Sequence, residues 1–236
     1  MLDDKNKRKI KTVAIEGSDG AGKATQTERL ASFLRRIGYK VGNISFPRYT
    51  ETPAGRMLFE VMKSERASHY DWAHTNPNLA SLVYALDRAE SKEYILDLID
   101  KNDVLIFDRY VESNLLHQGG KFTEDFERMV FANWLYVLEY DHFGLPKPDV
   151  TIYLDLPPEV SRARALKRAQ ETGGSLDAVE SDMQYVINGT AAGRSYAEIF
   201  GWAVIKCVVP NDNLELPPYE LTPEEIHMKI REIVLK

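Results

Sequence analysis

The stretch Gly17-Ser18-Asp19-Gly20-Ala21-Gly22-Lys23-Ala24-Thr25 decides how the rest of this chain is read. It follows the apolar run Thr12-Val13-Ala14-Ile15 and precedes Leu30, Phe33, Leu34 and Ile37 at helical spacing, so it stands where a strand turns into a helix. Glycines in that setting let successive backbone N–H groups curl round an anion. The N-terminus of the following helix adds positive dipole, and a lysine reaches the outer phosphates. Gly17, Gly22 and Lys23 fit the pattern G-x-x-x-x-G-K-[ST]. Ala24 stands where the pattern carries a hydroxyl, and Thr25, one position on, is rotated by about 100° round the helix.

Outward from this loop, strands and helices alternate. Residues 11–16 read as the first strand and 40–46 as the second, leading into Phe46-Pro47-Arg48-Tyr49. A short helix is expected over 53–66, and the longest helical pattern runs over 78–101. Residues 103–108 form an apolar run closed by Asp108, as in a strand buried on both faces of a parallel sheet. A helix rich in large apolar side chains covers 124–143, and a fourth strand covers 150–155. Pro157-Pro158 opens another helix, a further helical stretch reaches about residue 200, and 203–209 read as the fifth strand. Residues 211–221 read as irregular, and Thr222-Pro223-Glu224-Glu225 opens the last helix with the spacing of a capping box. Strands joined through helices imply right-handed crossovers. The expected fold is α/β, with a five-stranded parallel sheet between two helical layers in a single domain over 1–236.

With 44% hydrophobic residues, 236 residues suffice for one good core. The formal charge of -6 argues against sequence-independent nucleic-acid binding, which calls for a basic face. A single cysteine, Cys207, excludes an internal disulfide and a cysteine-clustered metal site, and its surroundings read it as a small buried hydrophobe in a reducing compartment. The five histidines form no zinc spacing. No apolar run approaches the ~20 residues that span a bilayer, so a soluble cytoplasmic protein without membrane partners is expected.

Three polar groups should meet at the C-terminal edge of such a sheet: the loop with Lys23, the Phe46-Pro47-Arg48-Tyr49 turn, and Asp108-Arg109-Tyr110. An aspartate closing a buried strand beside such a loop is placed to hold Mg²⁺, and an arginine next to it can clamp phosphate. Alone, Asp108-Arg109 would read as a surface ion pair or a strand-end cap. The loop upstream favours the functional reading.

These motifs, with Tyr84-Ala85-Leu86-Asp87-Arg88, Ser113-Asn114, Gln118-Gly119 and Leu145-Pro146-Lys147-Pro148-Asp149, resemble the thymidylate kinase family of P-loop nucleoside monophosphate kinases. The resemblance implies a P-loop NTPase fold, ATP as phosphoryl donor, Mg²⁺, dTMP as acceptor, and a homodimer packed through helices, with the long helix from residue 78 and that over 124–143 as candidates. It further implies that Gly17 to Thr25, with Ser18, Gly20 and Ala21, bind ATP, and that Asp19 contacts the acceptor's 3′-hydroxyl. Arg48 and Arg109 would hold the acceptor phosphate and the transferring phosphoryl group, and Asp108 with Asp19 would serve the metal. Phe46, Ser113 and Gln118 belong to motifs lining the acceptor. Tyr84 would stack on the thymine ring, with Arg88 and Asn114 on its edge, and Tyr49 would pack on the deoxyribose. His117 falls where relatives often carry a tyrosine. Without the resemblance, Tyr84 reads as core and Arg88 as a solvated face. A lid over about 169–182 carries no basic residue inside it, which leaves Arg164, Lys167 and Arg168 just before it, with Arg168 the candidate lid arginine.

Two other readings are compatible with the loop. A deoxynucleoside kinase would need a general base near a sugar hydroxyl and commonly carries Asp-Arg-Ser instead of Asp-Arg-Tyr. A nucleotide-binding sensor without catalysis is suggested by Ala24 and the arginine-poor lid.

Overall fold

The computed structural model describes residues 10–64, 74–172, 181–211 and 217–236. Five parallel strands, β1 (Thr12–Gly17), β2 (Val41–Ser45), β3 (Val104–Asp108), β4 (Val150–Asp155) and β5 (Ala203–Lys206), lie in the order β2-β3-β1-β4-β5. The helices are α1 (Lys23–Arg36), α2 (Pro53–Met62), α3 (Pro77–Glu90), α4 (Lys92–Lys101), α5 (Glu112–His117), α6 (Asp125–Tyr136), α7 (Pro158–Thr172), α8 (Met183–Phe200) and α9 (Pro223–Val234).

Successive strand residues point to opposite faces. Accordingly Val13 and Ile15 enter a core with Ile106, Ile152, Leu154 and Ile205, capped by Leu30 and Leu34 of α1 and Ile226 and Ile230 of α9. Ala14 enters a second core with Leu105 and Phe107, closed by Leu115 of α5, Phe131 and Leu135 of α6, and Tyr196 of α8. Both faces are therefore covered, which is why these strands carry apolar runs without alternation. At roughly 1.5–3 kcal/mol for each fully buried Leu, Ile or Phe, these two layers dominate the favourable side of folding. The expected three-layer α/β/α P-loop fold is observed.

Register places the chemistry. Ile15 and Ser45 both stand opposite Asp108, so the loop after β1, the turn after β2 and the end of β3 share one edge. At the opposite edge Asp149 Oδ2 accepts from the backbone N–H groups of Lys11 and Thr12 at 2.8 and 2.9 Å, which ties the entry of β4 to that of β1.

Five expectations are corrected. The helix over 78–101 is two helices, because Ser91 interrupts it: its Oγ donates to the Asp87 carbonyl at 2.8 Å and accepts from Arg48 Nη1 at 3.0 Å. The strand over 203–209 ends at Lys206. Val208–Val209 (β6) instead pair antiparallel with Tyr219–Glu220 (β7), inside a stretch expected to be irregular. The helix expected over 53–66 ends at Met62, with 65–66 outside the described residues. The helix over 124–143 changes character at Val137, continuing as a π-helical turn, Val137–His142. The six-residue α5 was not foreseen. The capping box is present, with Thr222 Oγ1 accepting from Glu225 N–H and the Glu225 side chain accepting from Thr222 N–H. Of the lid stretch, 173–180 lie outside the described residues. Among the described residues no helix is long and apolar enough to cross a membrane.

Candidate active site

Gly17 closes β1 with φ 151°, and a Cβ there would sit 2.8 Å from the Leu154 carbonyl oxygen. Gly20 has φ 78°, and its Cβ would meet Ser161 O and Arg164 Cβ at 3.2 Å. Both positions require glycine. The second shows that α7 lies on the loop. Ser161 Oγ donates to the Asp19 carbonyl at 2.5 Å, and Arg164 Nη1 to the Gly20 carbonyl at 2.9 Å. Arg164 is also paired to Glu220 of β7 at 2.7 Å.

Lys23 is buried and donates from Nζ to the carbonyls of Gly17 and Ser18, each at 2.8 Å, 3.8 Å from Asp19. Burial and the Arg109 cation lower its pKa to about 8, against the opposing pull of Asp19, Asp108 and Glu16. Arg109 follows β3 in the left-handed region, φ 66°, which costs a non-glycine residue ~1–3 kcal/mol and is found chiefly where function demands it. Its Nη2 donates to Asp19 Oδ1, and its Nη1 lies 3.0 Å from His117 Nε2. Arginine has no acceptor, so Nε2 accepts in that contact. Burial alone would raise the Asp19 carboxyl, but Arg109 and Lys23 outweigh it and hold it well below the usual carboxylate range.

Glu16 stands under this turn with no exposed surface, accepting from Tyr110 N–H at 2.6 Å and Ser113 Oγ at 2.5 Å. Burial raises its carboxyl, and those two bonds and Arg109 draw it back. Ser113 is thus bonded to the floor of the site.

The second half of the site lies on α3, where Ser81, Tyr84 and Arg88 recur at helical spacing. Tyr84 is half-buried, and its hydroxyl donates to Met62 Sδ at 2.8 Å. Together with Tyr49 and Tyr185 it packs round Leu58, Val61, Ala80 and Val83. His117 stacks on Tyr185 with ring centres 6.1 Å apart, and Asn114 Nδ2 donates to the Ser81 carbonyl at 3.3 Å. Arg88 is no solvated face: it is 2% exposed. Phe46 is buried against Tyr110. Three buried polar atoms here, Ser18 Oγ, Ser81 Oγ and Gln118 Oε1, have no hydrogen-bond partner among the described residues.

Arg48 is placed differently from the rest. Its backbone N–H donates to Asp87 Oδ2 at 2.9 Å, whereas its guanidinium reaches Ser91 and lies 4.7 Å over the Tyr94 ring at the α3–α4 junction. Arg168 is exposed on α7. Asp108 accepts from Ser45 Oγ at 3.4 Å, and among the described residues no three His, Cys, Asp or Glu side chains are grouped to hold a metal. One strand-end carboxylate suits Mg²⁺, which keeps several waters and binds largely through substrate phosphates.

Glu16, Ser81 and Tyr185 were not among the residues singled out from the sequence, and Arg164, named there beside the lid, was passed over for Arg168. An acid ending a fully buried strand must find donors, which marks Glu16, and Ser161 with Arg164 fall three apart on the helix that Pro158 opens, which marks the face laid on the loop.

Residues 15–188 match the family model described as Thymidylate kinase. A thymidylate kinase of Mycobacterium tuberculosis (strain CDC 1551 / Oshkosh) is 36% identical over 193 residues, covering 80% of this chain and 86% of that one. A thymidylate kinase of Synechococcus sp. (strain WH7803) is 30% identical over 227 residues, covering 93% and 92%. A probable thymidylate kinase of Pyrococcus abyssi (strain GE5 / Orsay) is 34% identical over 157 residues, covering 66% and 70%. With the phosphate loop, Asp19 and the Asp108-Arg109 strand end gathered at one sheet edge, and with matches of this extent, the chain belongs to the thymidylate kinase family.

Proposed function

We propose that this protein transfers the γ-phosphoryl group of ATP to the phosphate of dTMP, giving dTDP and ADP. The observation that carries the reading is the Arg109–Asp19 pair, which joins the phosphate loop to the strand-β3 end and sets an arginine at the mouth of the loop beside Lys23. Transfer is in line from the γ-phosphorus to an acceptor phosphate oxygen, so catalysis consists of positioning and of neutralising charge. The backbone N–H groups from Gly17 to Thr25 cradle the donor phosphates, Lys23 exchanges its carbonyl partners for them, and Arg109 meets the group in flight. Arg164, bonded to the loop, and the nearby Arg168 and Lys167 are the cations available to the lid over about 169–182. Asp108, with Asp19, would hold Mg²⁺, which would supply charge neutralisation on the phosphates. Asp19, Tyr49 and His117 line the sugar; Tyr84, Arg88, Asn114, Ser113 and Gln118 surround the base end; Phe46 supports the turn that carries Arg48.

A coupled ADP-release assay over dTMP, dUMP, dCMP, dGMP and AMP, with thymidine beside them, tests this. The highest kcat/KM is expected for dTMP, with dependence on Mg²⁺. Equal turnover of thymidine and dTMP would favour the deoxynucleoside kinase, and tight nucleotide binding without product the sensor.

We also propose a homodimer in the same solution state. Leu79, Leu82 and Leu86 on α3, and Phe126, Met129 and Val130 on α6, are exposed at helical spacing, Phe126 by 79%. Sedimentation equilibrium is expected to give twice the chain mass for the wild type and the single-chain mass for Phe126→Glu. An unchanged mass in the variant would remove α6 from the interface.

A further inference from the structure

Beneath the base end lies a fully buried ion pair. Arg88 Nε donates to Glu139 Oε2 and Nη2 to Oε1, both at 2.6 Å, and Nη1 donates to the Tyr110 carbonyl at 3.3 Å. Arg88 is 2% exposed and Glu139 not at all. Such a pair costs desolvation on both sides, and apolar residues of the same volume would often hold the fold as well or better. Stability therefore gives little reason for it, and geometry gives a stronger one. A guanidinium is planar and carries five N–H donors. Glu139 takes the Nε edge and Tyr110 one hydrogen of Nη1, which leaves one N–H on each terminal nitrogen. These two form a short fork suited to a carbonyl oxygen and unsuited to an amino group.

Glu139 reaches Arg88 from the π-helical turn Val137–His142, and the next residue, Tyr140, donates to Glu112 at 2.7 Å within the same buried cluster. π turns are rare and concentrate at functional sites. Two consecutive side chains of this turn reach into the polar floor of the site, where Glu16, Glu112 and Glu139 are all buried.

We propose that Glu139 is a positioning residue for acceptor specificity: its carboxylate locks the Arg88 guanidinium so that the remaining N–H fork meets the carbonyl edge of an oxo-pyrimidine and rejects an amino-pyrimidine. The inference rests on the dTMP kinase reading above. Glu139→Gln keeps the volume but puts an N–H₂ group against one arginine nitrogen, turning the guanidinium out of register.

The test is steady-state kinetics with dTMP and dCMP at saturating ATP, together with calorimetric dTMP binding and thermal unfolding, on wild type, Glu139→Gln, Arg88→Met and Arg88→Met/Glu139→Met. Glu139→Gln is expected to raise KM and Kd for dTMP by about ten- to a hundredfold, the loss of one charge-assisted hydrogen bond, with a much smaller change in kcat and none in KM for ATP. The preference for dTMP over dCMP should fall by a similar factor. The double variant, which removes both charges together, should match Arg88→Met in KM. A folded Glu139→Gln protein with wild-type KM and preference overturns the proposal. So does a double variant with a KM well above that of Arg88→Met, a comparison that decides the matter even where Glu139→Gln does not fold. A wild type that neither binds nor phosphorylates dTMP overturns the functional reading itself, and the proposal with it.

Discussion

Arg109→Ala is expected to lower kcat for dTMP phosphorylation by about 10³–10⁵, the range an arginine is worth when it neutralises a phosphoryl group in flight. The guanidinium is already oriented: Asp19 holds one nitrogen and His117 Nε2 stands 3.0 Å from the other, so little ordering remains to be done when substrate binds. The backbone argues in the same direction. A residue at φ 66° is held there against a local preference, and the hold comes from Arg109 N–H donating to the Ile15 carbonyl at 3.2 Å and from Glu16 fixing Tyr110 N–H at 2.6 Å. Arg109→Gly separates the two contributions. Glycine removes the backbone cost while Asp19 keeps Lys23 nearby, so the unfolding midpoint should stay within about 4 °C of wild type while kcat falls as far as in the alanine variant. Stopped-flow or coupled turnover beside differential scanning calorimetry checks both halves. Near-normal turnover in either variant would refute the role assigned to Arg109.

The loop, the five strands and their parallel pairing were legible because each rests on a local pattern: glycines at fixed offsets, apolar runs of strand length, and helices between them. What escaped was set by partners far away in sequence. Residues 78–101 keep an apolar helical period straight through Ser91, and the break arises because Ser91 Oγ bonds back to the Asp87 carbonyl while Arg48, 43 residues earlier, bonds to it. Val208 and Val209 continue an apolar run, yet after Cys207 N–H reaches the Asp155 carbonyl the chain leaves β4 and pairs with Tyr219 and Glu220. In the site, Lys23, Asp19 and Arg109 come together as their motifs imply. Arg48 is carried by its motif to Ser91 and Tyr94, and Arg164, passed over in favour of Arg168, is the α7 cation bonded to the loop. The buried acids were least visible of all. A glutamate in a helical pattern reads as solvated, and only the arrival of Arg88 from 51 residues away shows why Glu139 is inside.

Glu112 extends that point into a measurable pH dependence. It opens α5 at 1% exposure, with Oε1 accepting from Tyr140 at 2.7 Å and Oε2 without a hydrogen-bond partner among the described residues. Burial first, then the neighbouring Glu16 and Glu139 carboxylates, push its pKa from 4.5 to about 7, against the pull of the Tyr140 bond. The one arginine in the cluster, Arg88, is already committed to Glu139. Because the folded pKa lies above the unfolded one, the native chain holds an extra proton across that window. The stability this supplies is complete below pH 4.5 and lost as pH rises through 7, about 3 kcal/mol in all. Glu112→Gln keeps an acceptor for Tyr140 and carries no charge, so it should be more stable than wild type at pH 8 by up to that amount, relative to the difference between the two at pH 5. Any cost of the buried amide N–H₂ is the same at both pH values and cancels in this comparison. Urea unfolding of both proteins at pH 5 and pH 8 measures it. An equal stability difference at the two pH values would show that Glu112 is ionised throughout, a third buried carboxylate beside Glu16 and Glu139.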